Sequence, residues 1–162
     1  NRLDMNTSGL IVITKTAFAQ AFLQDKVDVK KKYLAIVKGI IEEDAFIIEK
    51  PIGRIGDNLR REILSVEKGG QEAKTAVKVI KRFEDYSLIE CELFTGRTHQ
   101  IRVHLSNLGH PIMGDELYDG LDKRAKRQLL HAYKLELVNP KTKELQNFEA
   151  SLPEDIKQLT NV

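Results

Sequence analysis

Residues 86–111 read YSLIECELFTGRTHQIRVHLSNLGHP, and the class of the fold turns on where this stretch stops being strand and becomes helix. Its first part alternates, with Ile89, Cys91 and Leu93 on one side, which is the period of a strand with one buried face. The part from Thr98 onward alternates only in places and also spaces Ile101, Leu105 and Leu108 at helical intervals. Its ending decides for helix, because Gly109 can take the left-handed cap and Pro111 forbids continuation. A strand running into a helix, inside a chain rich in other strands, predicts an α+β fold.

Upstream, AKTAVKVIKRF (73–83) alternates with Val77, Val79 and Phe83 on one face. The short Glu84-Asp85 link predicts an antiparallel hairpin with the 86–94 strand. KKYLAIVKG (31–39) is apolar on both sides, as a central strand is. DAFIIEK (44–50) is a further strand halted by Pro51, and IGRIGDNLRRE (52–62) is an irregular, exposed, basic loop. IVITKT (11–16) extends a strand that begins near Ser8. TAFAQAFLQDKV (16–27) forms a short amphipathic helix with Phe18, Ala21 and Phe22 on one face. Downstream, QLLHAYKLELV and ELQNFEA pair across the turn NPKT, and PEDIKQL opens a terminal helix. The expected architecture is a mainly antiparallel, mixed sheet with a few flanking helices.

The 162 residues are 41% hydrophobic and 31% charged, enough for one buried core. The longest apolar runs are a few residues, which predicts neither a membrane span nor a secretory signal, and a cytoplasmic location is the default. The lone Cys91 excludes an internal disulfide and reads as a small buried apolar residue. Charge is balanced, 26 Lys and Arg against 24 Asp and Glu, but unevenly distributed. Basic residues gather at Lys26, Lys30, Lys31, Lys32 and Lys38, at Arg54, Arg60 and Arg61, and at Lys123, Arg124, Lys126 and Arg127. Convergence of these segments would make a face for a polyanion, and separation would leave ordinary solvated edges.

His99, His104, His110 and His131 do not fall at the spacing of a helical zinc pair, so no metal site is expected. Neither a Walker-type phosphate loop nor a G-x-G-x-x-G turn is present, and Ser8 reads as a turn or capping hydroxyl. Arg97 stands just before a helix N-terminus, a position that prefers anions, and so calls for an acidic partner. That partner is either an incidental surface glutamate or a carboxylate held in a cleft. Asp4, in NRLDMNTSGL (1–10), is one candidate among 24 acids. Alone it reads as an Asx-type turn residue ahead of the first strand.

Taken together, RLDMNTSGLIV (2–12), KKYLAIVKG, TGRTHQIRVHL (95–105), GHPIMGDELY (109–118) and LLHAYKLELVNPKT (129–142) resemble, in order, the motifs of the RluA/RluD-type pseudouridine synthases. The resemblance runs through nearly the whole chain. It implies a catalytic domain over residues 1–162 that isomerises uridine to pseudouridine in ribosomal RNA, or in transfer RNA, as a monomer and without a cofactor. It places Asp4 as the nucleophile, Tyr33 as the tyrosine stacked near the target base, with Tyr33 or Asp4 as the base that removes the C5 proton, and Arg97 as the arginine paired with the aspartate. Arg2 matches the residue that fills the gap left by a flipped nucleotide, while Arg102, His99 and Lys31 would contact phosphates. The family usually has His where Asn1 stands, and carries a strand segment before the aspartate motif. The chain is therefore expected to be N-terminally truncated, with Asp4 on a frayed end, and the alternative to an enzyme is an RNA-binding fragment without turnover. An unrelated interaction domain with a basic edge would not reproduce this order of motifs.

Overall fold

A computed structural model describes residues 2–25 and 29–161. Asn1, Lys26 of the first basic segment and the Lys26-Val27 end of the predicted first helix lie outside the described residues. The elements are β1 (Ser8–Gly9), α1 (Ala17–Asp25), β2 (Lys30–Lys38), β3 (Ala45–Glu49), β4 (Ile52–Gly53), β5 (Glu62–Ile63), β6 (Lys74–Arg82), β7 (Tyr86–Leu93), α2 (Gln100–Asn107), β8 (Leu130–Val138), β9 (Leu145–Glu149) and α3 (Glu154–Thr160). The large sheet has the order β1-β8-β2-β7-β6-β3, with β9 also paired to β8. Only β1–β8 is parallel, so the sheet is mixed and mainly antiparallel, and the fold is α+β as the sequence predicts.

β2 lies inside the sheet because its side chains have apolar partners on both faces. Tyr33, Ala35 and Val37 join Val77, Ile89, Cys91 and, from α2, Ile101 and Leu105. Leu34 and Ile36 face the other way, onto Leu88, Met113, Leu129 and Ile156 of α3. Helices thus cover opposite faces of one sheet. The β6–β7 hairpin forms across the predicted link, and α2 ends at the predicted stop with Gly109 at φ 83°. Cys91 is fully buried, and burial pushes its thiol pKa up.

Two predicted elements differ. The first strand is only Ser8–Gly9, and the β-branched residues after it are not strand. Leu10 donates its N–H to the carbonyl of Ala132, but Ala150 already bonds the carbonyl of Tyr133 and β9 takes the edge of β8 from Lys134 onward. Propensity loses because no free edge remains. α1 forms, yet Phe18 is 63% exposed and no residue of α1 joins a core cluster. Instead the Lys143 ammonium lies 3.9 Å from the Phe22 ring centroid. β4 and β5 clasp the base of the basic loop, which stays irregular from Arg54 to Arg61.

Gly9 has φ +110°, and a Cβ there would sit 2.2 Å from the Ala132 carbonyl oxygen. Gly109 is also left-handed, but a Cβ on it would meet open space. Gly9→Ala is expected to lower the free energy of unfolding by roughly 2–3 kcal/mol, because backbone must move as well as strain. Gly109→Ala should cost only about 1 kcal/mol. Urea denaturation of the two variants checks the difference.

Candidate active site

Asp4 is held from both sides of its loop. Its carbonyl accepts the N–H of Thr7 at 3.0 Å, closing a turn with Asn6 at φ 70°. Gln128, 5% exposed, donates its side-chain amide to the Met5 carbonyl at 2.9 Å and the Thr7 hydroxyl at 3.1 Å. Arg127 donates to the Asn6 carbonyl at 3.0 Å and is itself paired with Asp155 of α3 at 2.7 Å. Ser8 is no capping hydroxyl: its Oγ lies 2.9 Å from Nδ1 of His131 on β8. The expectation of a frayed Asp4 is therefore corrected, since the turn is anchored by the segment leading into β8.

The arginine that meets Asp4 is Arg102, not Arg97. Arg102 Nη1 lies 3.3 Å from Asp4 Oδ2, while Nε and Nη2 grip Asp115 at 2.7 and 2.9 Å. Its guanidinium also sits 4.9 Å from the centroid of the buried Tyr118 ring. With 7% of its side chain exposed and both carboxylates bonded, Arg102 is a positioning group and not the phosphate contact expected of it. Arg97 precedes α2 and turns away, donating Nε to the carbonyl of Glu72 at 2.9 Å. The helix phase explains the exchange: Arg102 lies inside α2 on the turn that carries Ile101 and Leu105 to the sheet.

A buried polar chain fixes this segment. Gln100 Oε1 accepts the Thr95 hydroxyl at 2.7 Å and the Arg97 N–H at 3.0 Å. Its Nε2 donates to the Lys74 carbonyl and to Thr75 Oγ1, both at 2.9 Å. Thr75 in turn meets His104 Nδ1, and His104 Nε2 meets the Lys50 carbonyl, each at 2.9 Å. All four hydrogen-bonding valences of the Gln100 amide are used, as a buried amide requires. His104 must donate from Nε2 and accept at Nδ1, the neutral form that burial favours by lowering its pKa.

Asp4, Tyr33, His99 and Arg102 line one cavity of about 540 Å³, with Arg2, Lys31 and Arg97 also in its wall. Tyr33 is 7% exposed, and burial, reinforced by the charge of Asp4, pushes its phenol up to about 12. Lys31 is lowered by burial. His99 stands in the left-handed region at φ 58°, a strained state for a non-glycine residue. Its Nδ1 lies 2.9 Å from Tyr118 Oη, and that oxygen accepts the N–H of Arg61 at 2.8 Å. The phenol therefore donates to Nδ1 and leaves the His99 proton on Nε2. Burial and the neighbouring Arg102 lower the His99 pKa, so it meets a ligand as a neutral donor and not as a cation.

The structure thus brings Asp4, Tyr33, Arg2, Lys31, His99, Arg97 and Arg102 to one cavity, but sets Arg102 and not Arg97 against Asp4. Asp115, Tyr118 and Gln128, which support these residues from outside the cavity wall, are the ones that sequence reasoning missed. Asp115 and Tyr118 lie in the GDELY part of a motif quoted for the resemblance, where an acid eleven or more residues past a helical arginine was the available signal. Among the described residues no group of three or more His, Cys, Asp or Glu side chains gathers to hold a metal, and no helix is long and apolar enough to cross a membrane.

A mixed sheet whose central strand carries a buried tyrosine, beside an aspartate clamped by a helical arginine, defines the class, and the sequence profile of the RNA pseudouridylate synthases matches residues 1–107. The chain belongs to that family. It is 46% identical over 98% of its length to the uncharacterized RNA pseudouridine synthase YhcT of Bacillus subtilis, covering 54% of that protein. It is 39% identical over 98% of its length to the ribosomal large subunit pseudouridine synthase D of Nitrosomonas europaea, covering 49% of it. The chain thus spans about half the length of the curated relatives it matches. Among solved structures, human RNA pseudouridylate synthase domain containing 1 superposes with a TM-score of 0.75 at 27% identity, over 99% of this chain and 77% of that one. These similarities bear out the RluA/RluD-type resemblance.

Replacing Arg102 by Ala should destabilise the fold by roughly 3–5 kcal/mol, because it leaves the buried Asp115 carboxylate unpaired. Chemical denaturation of the variant measures this. The raised phenol gives a second expectation. Tyr33 keeps its proton in the fold to about 12, whereas in the unfolded chain it ionises near 10. Its contribution to stability is complete below pH 10 and is lost as pH rises toward 12, by about 1.4 kcal/mol per pH unit. Spectrophotometric titration of the tyrosinate band should lose a late-ionising component in Tyr33→Phe, and that variant should show a shallower alkaline loss of stability.

Proposed function

We propose that the protein isomerises uridine to pseudouridine within RNA, with ribosomal RNA as the first candidate substrate and Asp4 as the nucleophile. The observation that carries this reading is the Asp4 carboxylate, held 3.3 Å from Arg102 in the wall of a cavity that also contains the buried Tyr33. A uridine must leave its stack to reach such a group, at a cost of roughly a few kcal/mol, and Arg2 at the cavity wall is suited to fill the gap.

In the reaction the C1′–N1 bond breaks and a C1′–C5 bond forms, with no change in oxidation state, so neither metal nor organic cofactor is required. Asp4 attacks C1′, or removes the C2′ proton to give a glycal; the detached uracil turns, and C5 rejoins C1′. The last step removes the C5 proton. With its phenol at about 12, Tyr33 fits a protonated platform under the base and leaves this proton to Asp4. His99 is suited to donate from Nε2 to a uracil carbonyl or sugar oxygen. Lys31 and Arg97, in the same wall, are suited to the phosphates. The same reading takes the protein to act in the cytoplasm as a monomer, with residues 1–162 as one catalytic unit.

The test is incubation with RNA containing 5-fluorouridine, with RNA affinity measured in parallel. A stable adduct and pseudouridine formation are expected from the wild-type chain. Asp4→Ala should lose turnover by at least about 10⁴-fold while keeping its RNA affinity. Binding without adduct or product in the wild type would identify an RNA-binding fragment instead.

A further inference from the structure

A second, smaller cavity lies on the far side of Arg97 from Asp4. It has a volume of about 260 Å³, shares Arg97 and Thr98 with the first, and is also lined by Arg54, Arg61, Gly69 and Gln71. Three guanidiniums and no carboxylate line it. This is unusual for this molecule, in which most of the other described arginines are neutralised. Arg124 is paired with Asp85 and Asp122, Arg82 with Asp44, Arg60 with Asp119, Arg127 with Asp155, and Arg102 with Asp4 and Asp115. Among the described residues neither Arg61 nor Arg97 has a carboxylate within ion-pair distance, and Arg54 has only the fully exposed Asp57 at 3.8 Å.

Two of the three guanidiniums are aimed by backbone carbonyls, and the third residue is anchored through its main chain. Arg97 Nε donates to the Glu72 carbonyl at 2.9 Å and Arg54 Nε to the Asn58 carbonyl at 3.0 Å, which fixes each plane and leaves the terminal nitrogens as donors. The main-chain N–H of Arg61 is pinned to Tyr118 Oη at 2.8 Å, the same hydroxyl that orients His99. Planar forks with the inner nitrogen fixed and the outer pair available are the arrangement that grips a tetrahedral oxyanion. Gly69 keeps the rim low, since nothing lies within 4 Å of where its Cβ would be.

We infer that Arg54, Arg61 and Arg97 form a phosphate clamp that takes one phosphodiester of the substrate RNA, beside the nucleotide whose base enters the Asp4 cavity. The inference rests on the reading of the protein as an RNA enzyme and gives the basic loop between β4 and β5 its role. Because Arg97 forms part of both cavities, the clamp sets how far along the strand the reacting nucleotide lies from a gripped phosphate.

The test is the salt dependence of affinity for a uridine-containing RNA oligonucleotide, measured on the full chain and on Arg54→Gln, Arg61→Gln, Arg97→Gln and the Arg61/Arg97 double variant. Lys157→Gln, an exposed lysine on α3, controls for net charge. Each arginine substitution is expected to weaken binding roughly tenfold and to reduce the slope of log affinity against log salt by about 0.7–0.9. The double variant should lose less than the sum of the singles, because both side chains hold one phosphate. Lys157→Gln should leave the slope unchanged. Wild-type slope and affinity in the arginine variants would overturn the clamp while leaving the RNA enzyme reading intact, even if inorganic phosphate alone were bound. A wild-type chain with no RNA affinity at low salt would overturn both.

Discussion

The site depends on one ion pair that has nothing to do with substrate. Asp115 is 1% exposed, and a carboxylate that deep is tolerable only if fully bonded. Arg102 supplies that bonding through Nε and Nη2, and in doing so loses its freedom to rotate. The remaining Nη1 is then fixed in space, and Asp4 comes to it. A carboxylate oriented by a donor that is already locked needs no rearrangement when charge shifts nearby, which is the arrangement preorganised electrostatics uses. Tyr118 completes the support from beneath. Its ring lies against Arg102, and its hydroxyl joins His99 to the backbone of Arg61. One buried tyrosine thus ties Arg102, the cavity histidine and the basic loop together.

The same logic accounts for the electrostatics of a chain whose formal net charge is only +2. Several cations of the three basic segments are spent on nearby acids, among them Lys30, Lys32, Arg60, Arg124 and Arg127. In the 123–127 segment, left by the sequence as either part of a polyanion face or a solvated edge, two cations brace the structure: Arg124 bridges two aspartates, and Arg127 links the Asp4 turn to α3. Guanidiniums gather in the smaller cavity, whose wall holds no carboxylate, at Arg54, Arg61 and Arg97. A local field of one sign beside a concave wall concentrates an anionic ligand far better than the same charge spread over a neutralised surface.

Periodicity made much of the fold legible. β2 shows its central place in an unbroken apolar run, the β6–β7 hairpin shows in its alternation, and α2 shows its end in Gly109 and Pro111. These are local signals, each decided within a few residues. The first strand failed because its length is set by competition with β9 for the edge of β8, and that competitor lies more than 130 residues away in sequence. The arginine assignment failed for a related reason. Arg97 and Arg102 belong to one motif, and which of them reaches Asp4 depends on the residue at which the helix begins. His99, in a left-handed conformation, sets that start; histidine is enriched among the few non-glycine residues found there, but that preference alone does not mark a helix start.

In the proposed reaction, the environment of Tyr33 bears on how labour is divided between Asp4 and Tyr33. At pH 7 a phenol at about 12 is ionised in about one molecule in 10⁵, so using it as a base costs roughly 7 kcal/mol before any proton moves. Asp4 adds to that cost, since its negative charge opposes a second anion beside it. The proposal therefore gives proton transfer to Asp4. Burial first, and the charge of Asp4 second, keep the tyrosine protonated, and its ring belongs to the same core cluster as Ala35, Cys91 and Ile101. A base rotating between breaking one bond and making another needs a surface like that ring, because it must be confined without being held by directional bonds.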